Sequence, residues 1–147
     1  MPSPLIAALS EHHGLPLLHE DDLEAFLQPQ RHSLLFLAGD TDKYPESLDV
    51  AVILPELLKA FGGRFQAAVI GAESEQAMKA RFGFSRWPAL VVLRGDAYLG
   101  CITRVRNWDE YLAELAQLLT AEPSRPPGVG IPLKVESQPA GAQECQR

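Results

Sequence analysis

Cysteine is nearly missing from these 147 residues: the chain has two, Cys101 and Cys145, far apart. Neither has a partner at C-x-x-C or metal-type spacing, which excludes a disulfide framework and leaves a strand cysteine and a tail thiol. An excess of positive charge is missing too. Lys and Arg number 13 against 19 Asp and Glu, a net charge of −6, and a nucleic-acid surface needs a basic face to neutralise phosphates. No apolar run approaches the roughly 18–20 residues that span a bilayer, so no membrane insertion is expected. Met1 to Leu9 has no basic n-region and too short an apolar run for export, so the expected location is cytoplasmic. There is no nucleophile elbow, no phosphate-binding glycine loop and no metal motif. The four histidines, at 12, 13, 19 and 32, have no second ligand at helical spacing. No cofactor and no metal are expected.

What is present reads as one soluble globular domain, with hydrophobic content of 46% and room for a single core. Residues 1–14 form an N-terminal extension of one or two helical turns, 15–120 the domain and 121–147 a flexible tail rich in Pro, Gly, Ser and Gln. Within the domain, Leu15 to His19 is a short edge-type strand, because Pro16 cannot donate to a central ladder. Glu20-Asp21-Asp22 opens a helix with carboxylates at its positive end. Ser33 to Ala38 is apolar without alternation, as a strand buried on both faces must be. A helix with Pro55 follows and stops at Gly62-Gly63. Phe65 to Ile70 is a third strand, and Glu73 to Phe82 a helix ended by Gly83. Ala89 to Leu93 and Ala97 to Thr103 make a hairpin about Gly95-Asp96. Asn107 with Glu110 starts a last helix as a capping box, and Trp108, Tyr111, Leu112, Leu115, Leu118 and Leu119 recur at helical spacing. The order β-α-β-α-β-α-β-β-α fits an α/β fold with a five-stranded mixed sheet flanked by helices.

The stretch Arg81 to Asp96 organises this chain: a helix ending at glycine, a Trp87-Pro88 bond in a short loop, an apolar strand and a tight turn. It resembles the middle of a thioredoxin-like domain, where the proline before the fourth strand is cis and faces the redox site. An extended peptide can pair with the backbone exposed there, and Trp87 offers it a large apolar contact. Counting back from Pro55, the slot of the two redox cysteines falls on Ser47-Leu48-Asp49-Val50. Thiol–disulfide exchange needs an attacking sulfur, and none of the four residues supplies one.

The loop after the central strand is acidic. From Asp40 to Glu56 there are five carboxylates (Asp40, Asp42, Glu46, Asp49, Glu56) against one Lys43. Such a run is a solvated face or an electrostatic dock for a basic peptide whose arginines bind carboxylates bidentately. Asp40, Asp42 and Asp49 lack the regularity of a calcium loop. The later arginines, at 81, 86, 94, 104 and 106, are spread over helix, loop and hairpin.

With these residues in view, the chain resembles the hydrogenase expression/formation proteins of the HupG/HyaE type, a thioredoxin-like family without C-x-x-C. The matching segments are Leu34 to Asp40, Tyr44 to Leu58 and Arg81 to Ala89, within a resemblance over roughly residues 10 to 120. It implies an accessory chaperone, not an enzyme, for maturation of an uptake [NiFe] hydrogenase. The implied partner is the small-subunit precursor with its twin-arginine (Tat) signal peptide, and other hydrogenase maturation proteins are further candidates. Candidate peptide-binding residues are Arg86, Trp87, Pro88, Asp40, Asp42, Glu46 and Asp49. Two alternatives remain: a structural adaptor in a maturation complex without signal contact, and a single-cysteine thiol oxidoreductase. The second needs an electropositive, accessible Cys101, whereas Cys101 sits among Leu99, Gly100 and Ile102.

Overall fold

The computed structural model describes residues 4–28, 32–103 and 106–123. Helix α1 (Pro4–Glu11) leads into β1 (Leu17–Leu18), a 3-10 turn (Glu20–Asp22) and α2 (Leu23–Leu27). Then come β2 (His32–Leu37), α3 (Ser47–Ala60), β3 (Gln66–Ile70), a second 3-10 turn (Ala72–Ser74) and α4 (Glu75–Phe82). The hairpin β4 (Ala89–Arg94) and β5 (Ala97–Thr103) and helix α5 (Trp108–Leu119) complete the described chain. The sheet order is β1-β3-β2-β4-β5. Strands β1, β3 and β2 are parallel, and β4 and β5 are antiparallel additions, with a register shift between Val92 and Leu93. This is the thioredoxin-like arrangement expected from the sequence.

The apolar β2 is explained by two cores. Leu34 and Phe36 point to one face, where α1, α3 and α5 pack through Leu9, Leu54, Leu57, Tyr111 and Leu115. Leu35 and Leu37 point to the other, against Leu23 and Leu27 of α2 and Met78 and Phe82 of α4. Each such side chain contributes roughly 1.5–3 kcal/mol by leaving water, so a strand between two helical layers needs apolar residues at both parities. The segment 1–14, read as an extension, carries α1, and its Ile6 and Leu9 sit in the first of these cores. The sequence offers only Leu5, Ile6 and Leu9 as a hint of that docking. Of the tail read at 121–147, residues 124–147 lie outside the described residues.

Local signals set most element ends. Asn107 Oδ1 accepts from the Glu110 N–H at 3.1 Å, and Glu110 Oε1 accepts from the Asn107 N–H at 3.0 Å, a closed capping box. Gly83 ends α4 at φ 73° with its N–H on the Lys79 carbonyl at 2.8 Å. The Trp87–Pro88 peptide bond is cis, one residue before β4. Pro55 lies inside a continuous α3. Trp108 is the exception on α5, at 40% exposed, while Tyr111 and Leu115 carry the buried face. Among the described residues no helix is long and apolar enough to cross a membrane.

Candidate functional site

The C-terminal ends of β2 and β3 lie side by side, and the chain leaves them in opposite directions. After β2 it crosses to α3 on one face, and after β3 it crosses to α4 on the other. Neighbouring parallel strands whose exits diverge leave a crevice, the usual ligand position of open α/β sheets. Here the crevice is a cleft of about 590 Å³. One rim is the segment Ala38–Asp42, the other is Gly71–Glu75, and Leu17, Val69 and Ile70 give it an apolar side.

Each rim is fixed by short-range bonds. Gly39 turns at φ 73°, and its N–H donates to Glu75 Oε2 at 3.1 Å across the cleft. The Asp40 carbonyl accepts from the Lys43 and Tyr44 N–H groups at 3.0 and 2.7 Å, and Asp40 Oδ1 accepts from the Asp42 N–H at 2.9 Å. On the opposite rim the Gly71 N–H donates to the Leu18 carbonyl at 2.8 Å, and Ser74 Oγ accepts from the Glu20 N–H at 2.8 Å. His19 closes the end of the cleft, with Nε2 3.2 Å from Glu73 Oε1 and Nδ1 3.8 Å from Asp22 Oδ2.

Glu75 is the unusual group. It opens α4 yet is 91% buried, being 9% exposed. Burial pushes its carboxyl above the ordinary 4.5, and hydrogen bonding from the Gly39 and Ala38 backbone pulls it part of the way back. The native state therefore holds this proton more tightly than the unfolded chain, and its contribution to stability falls as pH rises from 4.5 through the folded value. Glu75→Gln keeps an acceptor for the Gly39 N–H but cannot ionise. It is expected to gain on the wild type in urea midpoint between pH 4.5 and neutrality. A difference between the two proteins that is constant over that range would remove Glu75 from the acid titration.

The residues singled out from the sequence separate into three places. Asp40 and Asp42 line the cleft. Glu46 and Asp49 are exposed at the start of α3, outside it. Trp87 and Pro88 are buried and Arg86 is exposed, and none of the three lines the cleft. Trp87 packs under the β2–α3 loop, edge-on to Phe84 at 5.1 Å and tilted against Tyr44 at 6.3 Å. The large aromatic contact expected there for a bound peptide is thus occupied by the protein's own Phe84, Tyr44 and Gly39.

In the C-x-x-C slot, Ser47 is fully buried and its hydroxyl donates to the Ala38 carbonyl. Leu48 is half-buried, Asp49 exposed and Val50 buried. Cys101 lies 2% exposed in the second core and is engaged in a disulfide, which corrects the reading of a strand thiol; Cys145 lies outside the described residues. Of the arginines, Arg81 Nη1 reaches Glu24 at 2.8 Å and Arg106 Nη1 reaches Glu114 at 3.3 Å, on separate parts of the surface. Among the described residues no group of three or more His, Cys, Asp or Glu is placed to hold a metal ion.

Sequence reasoning missed His19, Glu73 and Glu75. A signal was present: open α/β sheets place sites beyond the carboxyl ends of their strands, and β3 exits through Gly71-Ala72-Glu73-Ser74-Glu75.

Comparison with known proteins bears on the whole domain. The family model described as hydrogenase-1 expression protein HyaE matches residues 5–111. A hydrogenase expression/formation protein HoxO of Azotobacter vinelandii is 49% identical over 119 residues, covering 81% of this chain and 80% of the relative. A hydrogenase expression/formation protein HupG of Rhizobium leguminosarum bv. viciae is 39% identical over 147 residues, covering 97% and 98%. Among solved structures, a hydrogenase expression/formation protein hupG from Rhodopseudomonas palustris superposes with a TM-score of 0.53 at 38% identity, over 71% of this chain and 94% of that one. Human ERp44 superposes with a TM-score of 0.55 at 14% identity, over 70% of this chain and 29% of its own, a likeness of fold alone.

Proposed function

Since the chain belongs to the HyaE family of hydrogenase expression/formation proteins, we propose that it is a redox-inactive chaperone for the hydrogenase small-subunit precursor and its twin-arginine signal peptide. Its place of action in this reading is the cytoplasm, before export, with other maturation proteins as further partners. The observation that carries the reading is the acidic loop between β2 and α3, on a scaffold whose C-x-x-C slot is Ser47-Leu48-Asp49-Val50. Asp40, Asp42, Glu46 and Asp49 form a local negative field against one Lys43, the complement of a signal bearing two arginines. Exchange chemistry has no sulfur to start from in that slot, so binding is the activity left to the scaffold.

Neutralising the four carboxylates of the loop and the start of α3 together, as D40N/D42N/E46Q/D49N, is expected to weaken precursor binding at least tenfold, about 1.4 kcal/mol. Asparagine at 40 keeps the acceptor that holds the Asp42 N–H, so the loop is preserved. Affinity equal to wild type in the folded variant would take the loop out of the reading. The function itself is tested by sedimentation of this protein with the precursor and with the same subunit lacking its signal. Co-sedimentation with the precursor alone is the expected result. Equal binding to both would instead favour a structural adaptor that does not touch the signal.

A further inference from the structure

The acidic cleft at the ends of β2 and β3 has a feature that surface loops do not. Its floor is a carboxylate, Glu75, with nine-tenths of its area removed from water. Among the described residues no lysine or arginine is seen paired with it: Lys59 reaches Glu56, Arg81 reaches Glu24 and Arg106 reaches Glu114, while the His19 ring lies against Asp22 and Glu73. A buried carboxylate without a counter-charge is costly, and hydrogen bonds from N–H groups offset only part of the cost. An ionised carboxylate has about four acceptor positions; the Gly39 N–H occupies one on Oε2 and the Ala38 backbone adds a second contact, which leaves positions open.

The surroundings add to the imbalance. Asp40, Asp42 and Glu73 line the same cleft, and its one basic side chain, His19, is already set against Glu73 and Asp22. Leu17, 53% exposed, stands with Val69 and Ile70 as the apolar lining. A volume of about 590 Å³ lies within the usual size of small-ligand clefts, about 300–1,000 Å³. An apolar lining with a carboxylate floor suits a side chain that has an aliphatic stem and a charged, forked head. A planar guanidinium is weakly hydrated and donates to two carboxylates at once, which a compact ammonium does less well.

We propose that the cleft between the Ala38–Asp42 and Gly71–Glu75 segments is the receptor for one arginine side chain of the bound polypeptide, with Glu75 at its floor and Asp40, Asp42 and Glu73 at its rim. The assignment rests on the chaperone reading above and narrows it. One arginine of the pair enters this cleft, and the α3 end with Glu46 and Asp49 lies outside the contact.

The test is an amide-resolved NMR titration of the full chain with acetyl-Arg-Arg-amide, with the citrulline and lysine dipeptides as controls. Saturable shifts centred on the Gly39 and Gly71 amides are expected with arginine, absent with citrulline and at least tenfold weaker with lysine. Glu75→Gln, which keeps the Gly39 acceptor, and D40N/D42N are each expected to lose at least tenfold in affinity, whereas E46Q/D49N stays within twofold. Shifts centred on the start of α3, an equal response to citrulline, or unchanged affinity in folded Glu75→Gln would each overturn the assignment. The signal peptide titrated in parallel separates the two claims. A signal bound equally by wild type and Glu75→Gln leaves the chaperone reading and removes the cleft. A dipeptide seated in the cleft without signal binding does the reverse.

Discussion

Trp87→Ala is expected to destabilise the protein by about 3–5 kcal/mol, the usual range for truncating a buried large aromatic. The indole is 9% exposed and belongs to the second core, with Phe84 at 5.1 Å and Tyr44 at 6.3 Å. Truncation removes apolar contact on three sides and leaves a void beneath the loop that begins at Gly39. Trp87→Phe keeps much of the packing and should cost less. Urea unfolding of both variants followed by circular dichroism reads this, with Trp108, 40% exposed, unchanged in all the proteins compared. An aromatic held out for a ligand predicts the opposite pattern, with stability near wild type and loss confined to binding.

Gly39→Ala comes second, with an expected cost of about 2–5 kcal/mol. Two causes add. The backbone sits at φ 73°, and a left-handed conformation costs a residue with a Cβ roughly 1–2 kcal/mol. A Cβ at Gly39 would also stand 3.1 Å from Trp87 Cγ and Cδ2, and crowding in a packed site costs about 1–3 kcal/mol. Gly95 supplies the control. It has φ 59° and nothing within 4 Å of the added carbon, so Gly95→Ala carries the backbone cost alone. Equal losses at 39 and 95 would mean that the indole yields freely and that loop and ring are not coupled.

These two variants bear on how the cleft is held. Gly39 lies between Trp87 beneath and Glu75 across the cleft, contacting the first through space and the second through its N–H. A change at either neighbour is therefore transmitted to the loop that carries Asp40 and Asp42.

Much of this architecture was legible in the sequence because it depends on near neighbours. The Asn107–Glu110 box, the Gly83 stop and the β4–β5 hairpin are set within a few residues. The doubly apolar β2 announced helices on both faces. Strand β1 came out at two residues, Leu17 and Leu18, shorter than its apolar stretch, with Pro16 ending the ladder as its missing N–H requires. The burial of Trp87 was not legible, because it depends on Phe84, Tyr44 and Gly39 meeting in space. Nor was that of Glu75. A carboxylate opening a helix is ordinarily solvated and favoured by the dipole, whereas here Gly39 of the β2–α3 loop meets it across 36 residues of sequence and it is 9% exposed. The disulfide at Cys101 was equally out of reach, since its sequence neighbours describe a buried strand residue and hold no second cysteine.

The central claim is that this chain recognises an export signal directly, and calorimetric titration with the signal peptide of a co-encoded hydrogenase small subunit tests it. The expected result is micromolar binding to the twin-arginine peptide, weakened by a twin-lysine replacement and by added salt, which screens charges beyond about 8 Å at physiological strength. No heat of binding, or binding indifferent to both changes, would contradict the account and move the contact to the folded subunit.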